Sequence, residues 1–464
     1  MKKRYVAALA ALGLTVGGLV ALPAAAGGAP TGKQPAAAAN KQVSDQFIVT
    51  FADTVSERKV SHKDVTQDRE LATGGVVVRA NRALDAAGSQ RLMAELRRQA
   101  GVVEVEADLI VTAQAAPNDA LYAQQWDLYE PLGGMNVEPA WAGADGAGVT
   151  VAVIDTGIVS HSDLNGNVLP GYDFISYPSV SRDGDGRDAD PNDEGDWYDT
   201  GECGGAPAPA ASSWHGTHVA GTIAALTDNA AGIAGVAGAA KIVPLRVLGK
   251  CGGYTSDIAD AITWAAGGRV ARIPNNPHPA KVINMSLGGA SPRCGGTYQK
   301  AINTAVKAGT TVVVAAGNSN SDVAGFTPAN CKNVVTVAAS DRGAERSFYS
   351  NFGPKIDVTA PGGEVRRATD PPGTRTTPEN GILSTLNSGT TVQGAESYKT
   401  YMGTSMAAPH VAGLVALMLG EVPMAPAEVE AALIANARPL VSCPGGCGAG
   451  LVDAGATITA ITAP

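Results

Sequence analysis

The sequence predicts an α/β chain in which a doubly wound, mostly parallel sheet is preceded by a small α+β module. Three observations lead there. From about Asn118 onward, short and nearly continuous apolar runs alternate with segments of helical spacing. Strands buried on both faces read this way, and alternating β and α segments build parallel sheets. Before that point the strand-like runs alternate apolar with polar, the pattern of a sheet with one wet face. The 464 residues are 45% hydrophobic and 17% charged, enough to bury a large core and too apolar for a disordered chain. No internal repeat is visible.

Lys2, Lys3 and Arg4 precede an uncharged stretch from Tyr5 to Leu22, followed by Pro23 and Ala24-Ala25-Ala26. A charged start, an apolar middle and an A-x-A site make residues 1–26 a secretory signal peptide. The stretch sits at the lower length limit for a membrane span. It is rich in Ala and Gly, and no second apolar span follows, so no membrane attachment is expected after cleavage. Residues 27–44, rich in Ala, Gly, Pro, Lys and Gln, read as a flexible spacer. Residues 45–116 hold the small module. Gln46–Phe51, Gly75–Arg79 and Val102–Val111 read as strands, and Ser89–Gln99 as a helix carrying Leu92, Met93 and Leu96. Ala113–Pro117 closes the module as an exposed linker of the kind that proteases cut.

Residues 117–464 form the large domain. Val149–Ile154, Lys241–Val247, Lys281–Met285, Thr311–Ala315 and Val334–Ala338 are its expected strands. His215–Ala225, Thr255–Ala266, Tyr298–Ala308 and Ser405–Leu419 are its expected helices. Function in such a sheet lies at the carboxyl ends of the strands.

Formal net charge is −9, from 34 Lys+Arg and 43 Asp+Glu. The first 116 residues carry 14 basic and 11 acidic groups, leaving 20 against 32 for the remainder. A body that acidic excludes nucleic acid, which needs clustered cations. All six cysteines (Cys203, Cys251, Cys294, Cys331, Cys443 and Cys447) lie downstream of the leader. An even count in an exported chain reads as three disulfides. A metal site is disfavoured, because no C-x-x-C pair exists and the spacings are irregular. Only Cys443–Cys447 is suggested locally, by the turn-forming Pro444-Gly445-Gly446 between them.

Three polar groups stand where the sheet would place reactive residues. Asp155 ends the strand VTVAVI, His215 begins an apolar helix, and Ser405 in Gly403-Thr404-Ser405-Met406-Ala407 begins another. Amide hydrolysis by serine needs a base for the hydroxyl proton, a carboxylate to hold that base in the right tautomer, and donors for the oxyanion. The donors are each worth roughly 3 kcal/mol, and a helix N-terminus at Ser405 supplies backbone N–H groups. Taken singly, the Asp could be a turn former and the Ser an N-cap. His215 with His218 could be half of a metal site, although the acid of an H-E-x-x-H motif is missing. The G-x-S-x-A context and the order Asp, His, Ser differ from the α/β-hydrolase elbow.

Together these residues resemble the subtilisin-like serine proteases. VAVIDTGI at 151–158, HGTHVAGTIAAL at 215–226, AAGN at 315–318 and GTSMAAPHVAG at 403–413 correspond to that family's four blocks, in its order. The resemblance implies that Asp155 orients the base, His215 is base and then acid, Ser405 is the nucleophile, and Asn318 donates its amide to the oxyanion. Asn318 on its own would read as a turn residue. Gly252-Gly253-Tyr254 and Ser286-Leu287-Gly288-Gly289 look like the two backbone edges that clamp an extended peptide, with Ala315, Ala316 and Gly317 completing the binding site. Residues 45–116 are similar in pattern and position to the family's inhibitory, folding-assisting propeptide. The cysteine positions resemble secreted bacterial members that pair Cys203–Cys251, Cys294–Cys331 and Cys443–Cys447. The expected protein is thus a secreted monomeric endopeptidase, made as a self-processing zymogen and acting on proteins and peptides.

One segment departs from the shortest family members. Arg182–Asp196 (RDGDGRDADPNDEGD) packs six Asp, one Glu and one Asn into 15 residues. Such a run is ordinarily a solvated loop, and an EF-hand is excluded because its turn glycine would fall at Asp188. Hard oxygen donors at this density favour Ca²⁺, with Asp183, Asp185, Asp188, Asp190, Asp193 and Asp196 as the expected ligands. Leu226–Ile233 (LTDNAAGI) matches a family calcium loop and reads equally well as an ordinary turn.

Overall fold

A computed structural model describes residues 45–52, 54–55, 58–108, 116–206 and 208–463. The expected signal peptide and spacer (1–44), the end of the expected strand Val102–Val111 (109–111) and most of the linker (113–115) lie outside the described residues. The chain forms two compact units, the first up to Val111 and the second from Thr112.

The first unit is a four-stranded antiparallel sheet of Gln46–Phe51, Val65–Glu70, Gly75–Ala80 and Val102–Ala107, with Gln46–Phe51 paired to the last two. Helix Ala86–Leu96 is capped by Asp85, which accepts the N–H of Gly88. It buries Leu92 and Leu96 against Phe47, Val49, Val76, Val78 and Val105. Strand Val65–Glu70 was not expected. Its sequence VTQDRE buries only Val65, as suits a polar edge strand.

The second unit is built on a seven-stranded sheet in which every pair is parallel. Its order is Val358–Pro361, Val335–Ser340, Thr311–Ala315, Val282–Met285, Thr150–Asp155, Lys241–Arg246, Tyr172–Asp173. Side chains alternate between two cores, as the pleat requires. Val151 and Val153 enter the core that holds residues of helices His215–Ala224 and Thr404–Glu421. Ala152 and Ile154 enter the one that holds residues of Thr255–Ala265 and Gly296–Lys307. Helix Thr404–Glu421 is buried without a break from Met406 to Met418, which explains why it is apolar on all sides. Among the described residues no single helix is long and apolar enough to cross a membrane.

The strand order reverses at Thr150–Asp155, which has later strands on both sides. A crevice opens at such a switch point, outside the carboxyl ends of the strands. Thr156 and Ser286, just past the ends of two neighbouring strands, border it.

Candidate active site

Asp155 is fully buried at the end of its strand. It accepts the N–H of Thr156 at 2.8 Å on Oδ1, and both carboxylate oxygens face Nδ1 of His215 at 2.8 and 3.0 Å. That contact fixes the ring: Nδ1 carries the proton and Nε2 is left as the basic nitrogen. The helix of His215 approaches the Asp155 turn so closely that a Cβ on Gly216 would lie 2.1 Å from the Gly157 carbonyl oxygen. Only glycine fits there. Burial pulls the His215 pKa down, but the charge and hydrogen bond of Asp155, helped by Asp196 and Asp193, prevail and the net shift is upward.

Ser405 is the second residue of helix Thr404–Glu421. Pro409 stands one turn further on and has no N–H to offer the Ser405 carbonyl. The hydroxyl of Ser286 supplies the missing donor at 2.8 Å. In return the Ser405 hydroxyl donates to the Ser286 carbonyl at 3.1 Å. Asn318 Oδ1 accepts the N–H and the hydroxyl of Thr404 at 2.8 and 2.9 Å, so its NH₂ is the end left for another partner. Gly317 before it has φ +102°, and a Cβ there would meet Asn351 Nδ2 at 2.5 Å. The AAGN turn therefore needs its glycine.

His215, Asn318 and Ser405 line one cleft of about 1150 Å³, together with Thr156, Gly252, Gly253, Ser286 to Ala290 and Ala315 to Gly317, while Asp155 lies buried behind His215. Tyr254 stands outside that lining, half exposed and packed on Tyr177. Gly289–Ala290 pairs antiparallel with Phe326–Thr327. The sulfurs are joined as Cys203–Cys251, Cys294–Cys331 and Cys443–Cys447, and the first bridge forms part of the cleft wall. His218 has another task. Its Nε2 donates to the carbonyls of Ile382 and Lys399 at 3.1 and 3.0 Å, and its ring stacks on Tyr401. Burial, then the charge of His215, pulls its pKa down to about 3. It is a neutral core residue, which removes the two-histidine metal alternative.

The acidic segment divides in two. Asp183, Asp185 and Asp188 bring carboxylate oxygens within 4.8 Å of one another, in a hollow also lined by Asp190, Asn192 and Glu194. The contact and charge of Asp188 push the Asp185 pKa up, as crowded like charges do. Six oxygen-bearing side chains fit Ca²⁺. Asp193 and Asp196, expected among the ligands, do not line this hollow. Asp193 is buried, with burial raising its pKa to about 7, and it accepts from Thr156; Asp196 accepts from Ser213. Asn192 and Glu194 take their places, which charge density alone did not reveal.

At Leu226–Ile233 the cluster is assembled from distant residues. Asp163 accepts Asn229 Nδ2 at 2.6 Å and the N–H of Ile233 at 2.9 Å. Asp119 accepts the N–H of Asp228 on Oδ2, while its Oδ1 is buried with no hydrogen-bond partner among the described residues. Burial raises both pKa values. An unpartnered buried carboxylate oxygen is what a cation site would use.

A family model described as "Subtilase family" matches residues 146–450. The chain is 55% identical to an extracellular protease of Xanthomonas campestris over 84% of its own length and 65% of that protein. It is 44% identical to an extracellular basic protease of Dichelobacter nodosus over 77% of its length and 58% of that protein. It thus spans less than two thirds of each. Thermitase of Thermoactinomyces vulgaris is 34% identical, with 86% of its length covered. Among solved structures, one of proteases from Pseudoalteromonas arctica superposes with a TM-score of 0.71 at 52% identity, covering 75% of this chain and all of that one.

Proposed function

The chain belongs to the subtilase family, and from that premise we propose that it is a secreted serine endopeptidase that cuts proteins through an acyl-enzyme. The observation that carries this reading is the buried Asp155–His215 pair opening onto the same cleft as Ser405 and Asn318. Ser405 attacks the peptide carbonyl while Nε2 of His215 takes its proton. The imidazolium so formed is stabilised by Asp155, and it then delivers the proton to the leaving amine. Charge building on the carbonyl oxygen is met by the NH₂ of Asn318 and by N–H groups at the start of the Ser405 helix. The Ser405 hydroxyl now points to the Ser286 carbonyl, so it rotates towards His215 when substrate arrives. Catalytic hydrogen bonds commonly tighten only in that complex. The exposed edges at Gly252-Gly253 and Ser286 to Gly289 would take the peptide as an added strand.

In this reading residues 1–26 direct export and the module of residues 45–116 serves as folding aid and inhibitor. The first cut falls between Gln114 and Asp119. Towards the end of that window the chain is already fastened, since Asn118 exchanges hydrogen bonds with Asp228 and Ala230. Calcium is held by the hollow of Asp183, Asp185, Asp188, Asp190, Asn192 and Glu194, and by a second site at Asp119, Asp163 and the loop 226–233. The extracellular names of the relatives support secretion. The product works as a monomer.

A fluorophosphonate probe tests the reading. It should label Ser405 stoichiometrically in the wild type and not at all in His215→Ala, and intact mass should show residues 45–113 gone. Labelling elsewhere, or a wild type inert to the probe while cleaving peptides, would sink it.

A further inference from the structure

We propose that Asp193 and Asp196, the last two carboxylates of the acidic segment, are positioning residues of the catalytic base, each holding the backbone on one side of His215. The inference rests on His215 being that base. The turn presenting His215 has little support of its own. Helix His215–Ala224 starts without a side-chain cap, and Trp214 before it lies in the left-handed region, with φ 50° and ψ 34°. A bulky residue stays there only where its surroundings over-determine it.

Asp196 supplies one constraint. Its Oδ1 accepts the Ser213 N–H at 2.6 Å and its Oδ2 the Ser213 hydroxyl at 2.8 Å. Asp193 supplies the other through Thr156. Its Oδ2 takes the Thr156 hydroxyl hydrogen at 2.6 Å, so the rotor is set and the hydroxyl oxygen accepts the N–H of Gly216 at 3.0 Å. The N–H of the same threonine holds Oδ1 of Asp155 at 2.8 Å. One residue thus ties the catalytic carboxylate, through its N–H, to the first turn of the histidine's helix, through its hydroxyl, and Asp193 decides which way that hydroxyl points. The remaining oxygen of Asp193 accepts the N–H of Gly195 at 2.8 Å, so both of its oxygens are used inside the protein. The anchors of Trp214 and Ser213 to Gly389 and Tyr401 complete the frame.

The test compares wild type, Asp193→Ala, Asp196→Ala and Thr156→Val in excess calcium. It reads the rate and endpoint of fluorophosphonate labelling, kcat and KM on one peptide, and the calcium midpoint of thermal stabilisation. Each variant should label and turn over roughly tenfold or more slowly, since small displacements of a reacting group are costly. The endpoint should stay stoichiometric, KM should move by less than about threefold, and the calcium midpoint should hold. Thr156→Ser should recover most of what Thr156→Val loses, because it keeps the hydroxyl. Rates within about twofold of wild type would overturn the proposal. So would a loss reversed by more calcium, which marks a metal ligand, or a reduced endpoint at unchanged rate, which marks a folding role. If Asp193→Ala does not fold, Asp196→Ala and the Thr156 pair decide. A wild type that does not label at all indicts the catalytic reading itself.

Discussion

At Asp155 one buried carboxylate is met by the Thr156 N–H and the His215 ring. At Asp183, Asp185 and Asp188 three carboxylates crowd within 4.8 Å of one another, and of them Asp183 also accepts from Ser181. Arg246 neutralises part of that group, pairing with Asp183 at 2.7 Å and Asp173 at 2.6 Å. Asp185, which is fully exposed, keeps its pKa raised by its neighbours. In the proposed reading the crevice needs no bound ion, whereas the acidic hollow is completed by a cation. Losses in the crevice should fall on rate and leave stability nearly intact; losses in the hollow should do the reverse.

The largest effect expected is that of Ser405→Ala, roughly a million-fold in turnover, because triad members act as one unit. Its melting temperature should move little; a large fall would break the contrast by making the nucleophile a structural group. Asn318→Ala should cost about a hundred- to a thousandfold in kcat, with KM changed far less. Next comes calcium removal. A site held at a hundredfold over its Kd contributes about 2.7 kcal/mol, so excess EDTA should lower the melting temperature by several degrees and hasten self-digestion. Identical melting curves in EDTA and in millimolar calcium would erase the distinction between the two regions. Asp185→Asn should have the smallest effect, and its sign should depend on the ion. Without calcium it relieves repulsion and raises the melting temperature slightly; with calcium it removes a ligand charge and lowers it.

Much of the fold was legible because a parallel sheet covered on both faces leaves a plain signature. The expected strands at 149–154, 241–247, 281–285, 311–315 and 334–338 all lie in the sheet, within a residue or two of their bounds. Tyr172–Asp173 and Val358–Pro361 were not, being too short for any period to show. Nor was Val65–Glu70, with one buried residue in six. In the site, Asp155, His215 and Ser405 were marked by position at element ends, while Asn318 needed the resemblance, since an Asn after Gly reads as a turn. The acidic segment was legible as composition only. Which carboxylates face the hollow and which turn inward depends on the path of the loop, and alternation of charge carries no trace of it. Asp119 and Asp163 were invisible as a pair, since neither stands in a charged run and they meet only in the fold.

The proline in the helix of Ser405 has a consequence for alignment. A continuous helix would have kept the Ser405 carbonyl for itself; with Pro409 in place that carbonyl is a port, and Ser286 occupies it. Two hydrogen bonds close a ring between the proposed nucleophile and the strip that would carry the peptide. Thermal drift of one then drags the other along, so their errors are correlated and largely cancel in the distance between them. Loops around the strip are free to differ in length and side chain, and to tune what is cut, without loosening the grip that decides whether cutting occurs.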